Sequence, residues 1–206
     1  MHVIDQVLRD DERHEVLLLC EGQKYRITTA DCDQLGLEEG SALSDDELVK
    51  LSDADARLAC IQKAFVHLSY GDVSKKRLVE KLSRAFDKAL CHDVADLLEE
   101  RGYLDDLRLA ERYAENYYEI RSYGPTRIKQ ELFSKGFKSD VIEQALEPYQ
   151  KMDHRNKIAE LLQTKYSHES LQDYAIKKKA VAWLNRYGFA WSDISDVLNR
   201  YGEYFE

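Results

Sequence analysis

The sequence repeats itself, and the repeat limits what the chain can fold into more than any other feature. Arg57-Leu58-Ala59, Arg108-Leu109-Ala110 and Lys157-Ile158-Ala159 recur at spacings of 51 and 49. Leu82, Leu132 and Leu184 recur at 50 and 52, and Leu98, Leu146 and Leu198 at 48 and 52. Gly136-Phe137 and Gly188-Phe189 match at a spacing of 52. A fixed period of this size predicts an array of small units. A unit of about fifty residues has too little interior to stand alone, so neighbours stack and share burial.

Each unit parses into three helices. They are expected near 54–69, 75–88 and 90–101, then 105–121, 125–135 and 139–148, then 154–168, 174–187 and 192–202. Asp105 or Asp106 caps the first helix of the middle unit, and Gly124-Pro125 opens the second with proline in the first turn. Gly136 closes that helix where a left-handed residue is wanted, and Ser139 caps the third. Apolar residues keep helical spacing, as in Leu78, Leu82 and Phe86. With two prolines in 206 residues and abundant Leu, Ala, Glu, Lys and Arg, the composition favours helix. The expected fold is mainly α: three tandem three-helix repeats (53–102, 103–150 and 152–202) in an elongated, curved array.

The first fifty residues read differently and form a small β-rich extension, 1–50, ahead of the repeats. Val3–Leu8, His14–Leu19 and Lys24–Thr29 predict three short strands, parted by turns at Asp10-Asp11-Glu12 and Glu21-Gly22-Gln23. Residues 31–43 read as a loop and short turn returning to the sheet. Ser44 and Glu47 form a capping box that opens a helix. This segment holds 5 basic and 13 acidic side chains, so nearly all of the net charge of −9 belongs to it. The rest is close to neutral, which leaves an anionic partner open.

The longest apolar run is five residues, Val16 to Cys20, against the roughly 20 that a membrane helix needs. The first residues carry acid early and no long apolar stretch, so no secretory leader is expected. A soluble, cytoplasmic protein with no membrane association is the expectation. Cys20, Cys32, Cys60 and Cys91 have no C-x-x-C spacing and read as buried, reduced thiols rather than metal ligands. No catalytic residue, metal or cofactor is expected, because the chain lacks a P-loop, a G-x-G-x-x-G turn, an H-E-x-x-H helix and a nucleophile elbow.

Basic residues mark the start of every second helix: Lys75, Lys76 and Arg77, then Arg127 and Lys129 with Arg121 before them, then Lys177, Lys178 and Lys179. Arg77, Arg127 and Lys179 each stand five residues before a repeat leucine. Stacked units would space these cations into a stripe suited to DNA phosphate or an acidic protein surface. Tyr113, Tyr117 and Ile120 fit an inward helix face, which leaves Tyr118 to point elsewhere as a candidate aromatic contact. Trp183, Phe189 and Trp191 are expected to fill the seam of the last unit.

Gly102-Tyr103-Leu104-Asp105-Asp106-x-Arg108-Leu109-Ala110-x-x-Tyr113, followed by Tyr123-Gly124-Pro125-x-Arg127-Ile128-x-x-Glu131-Leu132-x-x-Lys135-Gly136-Phe137, resembles the central signature of the regulatory protein RecX family. The first unit matches in part, with Gly71 where a basic residue is common and Arg77 where Glu is common. The resemblance implies a modulator that binds the RecA recombinase and its filament on single-stranded DNA. It implies inhibition of recombinase, ATPase and co-protease activity by lying in the filament groove. Besides this, the chain is expected to be a monomer, since an array with capped ends need not self-associate. It is expected to bind single- or double-stranded DNA only weakly, since its net charge is −9. Residue patterns alone also allow a stand-alone helical nucleic-acid binder or a helical-repeat scaffold for another protein.

Overall fold

A computed structural model describes residues 1–166 and 169–200. The ends expected at 168 and 202 for two helices of the last repeat therefore lie outside the described residues, as does His168. The chain divides into two compact units. One comprises Met1–Val73 with Leu78–Leu104, the other Ser74–Arg77 with the chain from Asp105 on.

The first unit opens with an antiparallel sheet of β1 (His2–Asp10), β2 (Glu15–Cys20), β3 (Gln23–Thr28) and β4 (Ala42–Leu43), in the order β3-β2-β1-β4. Alternation sets its inner face: Val16, Leu18 and Cys20 are buried on β2. Residues expected as a loop contain α1 (Thr29–Leu35), capped by Thr28 and closed by left-handed Gly36. The Ser44–Glu47 capping box then opens α2 (Asp45–Ser69), and the Glu47 carboxylate accepts from the Ser44 backbone N–H at 2.8 Å. This helix runs unbroken through residues 50–53, where the extension was expected to give way to the first repeat. Leu51 near its start packs with the sheet, while Cys60 and Ala64 pack with α3 (Lys75–Leu82) and α4 (Lys88–Glu100). Asp55 of α2 also accepts from the Arg26 N–H on edge strand β3 at 2.6 Å. That bond covers part of an otherwise open sheet edge.

The second unit holds two three-helix groups. The first is α5 (Asp106–Glu119), α6 (Pro125–Ser134) and α7 (Ser139–Gln150), around Leu109, Ile128, Leu132, Phe137 and Leu146. The second is α8 (Arg155–Lys165), α9 (Tyr174–Tyr187) and α10 (Trp191–Asn199), around Ile158, Leu184, Phe189, Ile194 and Leu198. The repeat leucines Leu82, Leu132 and Leu184 are all fully buried, which is what the fifty-residue period preserves. Asp105 caps α5 through the Arg108 N–H at 2.9 Å, and Pro125 takes the first turn of α6. Ser139 does not cap α7; the helix begins on it, and Lys138 holds the cap position with no side-chain bond.

Two junctions in this unit share one design. At the first, the Gly124 N–H donates to Tyr187 O at 2.7 Å and the Thr126 N–H to Gly188 O at 3.2 Å. At the second, the Ser74 hydroxyl donates to Lys135 O at 2.7 Å, and the Arg77 guanidinium to Ser134 O at 2.7 Å. In both, donors at the start of one second helix meet carbonyls at the end of another. Ser74 and Gly124 are equivalent in the repeat, as are Lys135 and Tyr187. Contact at the first junction is backbone on backbone: a Cβ on Gly188, which has φ +91°, would lie 2.3 Å from the Arg127 nitrogen.

Gly188→Ala should therefore cost about 3 kcal/mol or more, since left-handed strain and a backbone collision add. Gly22→Ala, at φ +78° with open space around it, should cost only about 1 kcal/mol. Urea unfolding of the two variants measures the difference.

Candidate functional site

The cations at the starts of α3, α6 and α9 are strung out rather than gathered. Arg77 sits on Ser134 at the closing end of α6 and Arg127 lies in its first turn, so seven helical residues, roughly 10 Å, separate Arg127 from that contact. Lys177, Lys178 and Lys179 lie in the first two turns of α9, and Lys178 stands ten residues, roughly 15 Å, before the Gly188 that meets Arg127. A cation at a helix start opposes that helix's dipole. Arg77 escapes the conflict because its guanidinium caps the last carbonyls of α6, where positive charge is favoured. The Lys75 backbone N–H donates to Asp106 at 2.8 Å, so Asp106 joins α3 to the start of α5. Arg127 is ion-paired with Glu131 at 2.6 Å. Lys76, Arg121, Lys129, Lys178 and Lys179 are exposed; Lys75 and Lys177 are partly so.

Tyr118 is not a surface aromatic. It is 4% exposed, and its ring centroid lies 4.9 Å from Tyr149. Its hydroxyl stands 3.1 Å from Nδ1 of buried His154, whose Nε2 stands 2.8 Å from Tyr149 O. A carbonyl only accepts, so Nε2 carries the proton and Nδ1 accepts from Tyr118. Lys157 covers the Tyr118 ring at 4.1 Å while reaching Glu119 at 3.2 Å. Ile120, the C-cap of α5, is the residue that faces water, 75% exposed. Trp191 is 60% exposed at the first position of α10, so Phe189 and Trp183, not Trp191, fill the last group.

The other tyrosines form a ladder that sequence periodicity did not show. Tyr113 stacks on Tyr117 at 6.1 Å and Tyr117 on Tyr123 at 5.9 Å. Tyr123 meets Tyr187 edge-on at 5.7 Å, and Tyr187 meets Trp183 at 4.8 Å. Cations stand over these rings: Lys135 4.0 Å from Tyr113, Arg121 5.6 Å from Tyr117, Arg127 5.6 Å from Tyr123 and Lys165 4.2 Å from Trp183. Ser122, at φ 52°, turns the chain so that Tyr123 folds back and its N–H donates to Tyr117 O at 2.9 Å. The sequence groups Tyr113, Tyr117 and Tyr123 with Arg121, and puts Tyr113 and Tyr117 on one helix face, but gives no signal that Tyr187 and Trp183 join them.

All four cysteines are reduced and buried. Burial pushes the Cys20 and Cys32 thiols up, and pushes Cys60, beside Cys91, up to about 12. Among the described residues no three His, Cys, Asp or Glu side chains converge as a metal site, and no helix is long and apolar enough to cross a membrane.

Comparison with known proteins gives a family. Residues 105–146 match the family model described as RecX, second three-helix domain. Regulatory protein RecX of Clostridioides difficile (strain 630) is 29% identical over 165 residues, which span 80% of this chain and 78% of that protein. Regulatory protein RecX of Leuconostoc mesenteroides is 29% identical over 169 residues, spanning 80% of this chain and 62% of that protein. A crystal structure of regulatory protein RecX superposes with a TM-score of 0.77 over 97% of this chain and 99% of that one, at 17% identity. The structure of RecX from Lactobacillus salivarius gives 0.66 over 73% of this chain and 99% of that one, at 23% identity. These two structures establish a shared helical-repeat fold.

Two outcomes follow from the buried groups. Tyr118→Phe should cost about 1–2 kcal/mol in urea unfolding by stranding Nδ1 of His154, and a further His154→Leu should recover part of it. Thiol titration at neutral pH should find no reactive cysteine in the folded protein and four in denaturant.

Proposed function

Because the chain belongs to the RecX family of regulatory proteins, we propose that it binds the RecA recombinase, above all its filament on single-stranded DNA, and restrains strand exchange, ATP hydrolysis and co-protease activity. The observation that carries this reading is the mixed signature from Gly102 to Phe137, which falls largely within the stretch matched to the second three-helix domain. The chain works in the cytoplasm, as a monomer and by contact alone, with no reaction of its own. It lies in the groove of the filament and obstructs it.

The spacing of the cations supports this mode of action. Lys76, Lys129, Lys178 and Lys179 reach solvent at intervals along the second helices, as a partner with periodic negative charge requires. Arg77 and Arg127 lie on the same line but also serve the chain's own junctions and ion pair. The exposed lysines are therefore the better choice for mutation, because replacing them leaves the fold alone.

RecA-catalysed, single-strand-dependent ATP hydrolysis should fall when this protein is added well below one copy per RecA. No effect on filaments verified by light scattering would sink the reading. Lys129→Glu, Lys178→Glu and Lys179→Glu together should weaken inhibition and make it less sensitive to salt, by roughly one unit of logarithmic slope for each phosphate no longer neutralised. Unchanged inhibition in that variant would make these lysines a solvated face.

A further inference from the structure

We propose that a cleft of the first unit, walled by α1, α2 and the start of α4, is a docking site for a short segment of a partner protein in which basic and apolar side chains alternate. This goes beyond the regulatory reading, because it needs neither recombinase nor DNA. Peptide binding and inhibition of ATP hydrolysis are read separately, so either can fail while the other stands.

The first argument is the floor. The cleft encloses about 750 Å³, a volume that takes the side chains of a few residues. Leu35 and Ala54 line it while packing against the core of the sheet, and Phe86 and Leu90 line it while packing against the helical core of the first repeat. The floor is therefore held in place from behind before any ligand arrives. All four residues are only partly buried, so each keeps apolar surface in contact with water. Covering that surface favours a ligand with branched or aromatic side chains over a small ion.

The second argument is the charge around that floor. Asp31 on α1, Asp53 on α2, and Asp87 and Asp93 at the start of α4 line the cleft, against the two cations Lys50 and Arg57. Asp31 accepts from the Thr28 hydroxyl at 2.7 Å, and Asp87 from the Ala89 N–H at 2.8 Å. Asp53 and Asp93 are exposed and, among the described residues, make no hydrogen bond or ion pair. Carboxylates gathered without counter-charges repel one another, and a cationic ligand relieves that repulsion. The same sign prevails through residues 1–50, with 13 acidic and 5 basic side chains, so the local field draws cations in and turns nucleic acid away. A linear polyamine would satisfy the carboxylates but cover little of the floor. A wholly apolar segment would leave the carboxylates uncompensated. Alternating basic and apolar side chains meet both demands.

The full chain is added to a blocked, dye-labelled pentapeptide of alternating arginine and leucine, and binding is followed by fluorescence anisotropy at low salt. Two control peptides carry glutamate in place of arginine, or serine in place of leucine. We expect saturable binding, roughly tenfold tighter than to either control. Asp53→Lys combined with Asp93→Lys, both at exposed positions, should weaken it roughly tenfold. Ala85→Trp, at an exposed position lining the cleft, should obstruct it and weaken binding as much. Thermal melting followed by circular dichroism checks that each variant is folded. Equal binding of the serine control would overturn the proposal in favour of a merely acidic surface, and equal binding of the glutamate control in favour of unselective apolar contact. Displacement of the peptide by equimolar spermine would overturn it in favour of a small polyamine site. Unchanged affinity in both variants would overturn it by placing the peptide elsewhere, and absence of binding at low salt would overturn it outright.

Discussion

A helix leaves its first N–H groups and its last carbonyls without partners, and this protein pairs one set against the other. At Gly124 backbone N–H groups opening α6 go to the carbonyls closing α9, while at the start of α3 the side chains of Ser74 and Arg77 serve the carbonyls closing α6. The negative end of one helix dipole meets the positive end of another, which adds a favourable field to the hydrogen bonds. So close an approach tolerates little side chain at the contact, hence Gly124, Gly136 and Gly188. A Cβ on Gly136 would lie 3.1 Å from the Ser74 hydroxyl, tight but less severe than the clash at Gly188. Ser74, only 3% exposed, does there with a hydroxyl what Gly124 does with its backbone N–H. The placement of Arg77, Arg127 and the aromatic ladder follows from these two junctions.

In the first unit the continuity of α2 plays a comparable part. One helix contributes to the sheet core at Leu51 and to the helical core at Cys60 and Ala64. The acidic extension is therefore not an appendage: its strands share a helix with the first repeat, and Gln62 donates to Glu15 on β2 at 2.7 Å. A four-stranded sheet this small is marginal by itself, and the shared helix supplies the cover it lacks.

Much of this was legible in the sequence. The strands and their turns, the capping box and nearly all of the helices of the repeats follow from alternation, periodicity and capping residues. Those signals are local, and each is written within a few residues. What was missed depends on neighbours distant in sequence. Tyr118 reads as outward on a helix wheel built from Tyr113, Tyr117 and Ile120, yet α5 is covered on a second side by Tyr149 and His154. Trp191 reads as core by composition, but a residue that opens a helix projects past its end. Helix α1 is seven residues long, too short for periodicity to register. The basic residues were legible as a set, while the duty of Arg77 at the end of α6 was not, because Ser134 lies 57 positions away.

The end-to-end junctions also govern how such a chain can change length. Gly124 and Gly136 bracket α6, and each is docked on a different part of the fold. One residue inserted between them would turn the far end of the helix by about 100° and lengthen it by about 1.5 Å. Ser74 and Arg77 would then face side chains instead of carbonyls. The second helix of the middle repeat therefore acts as a ruler between two docking points, whereas a connection such as Lys151–Asp153 could lengthen without moving either.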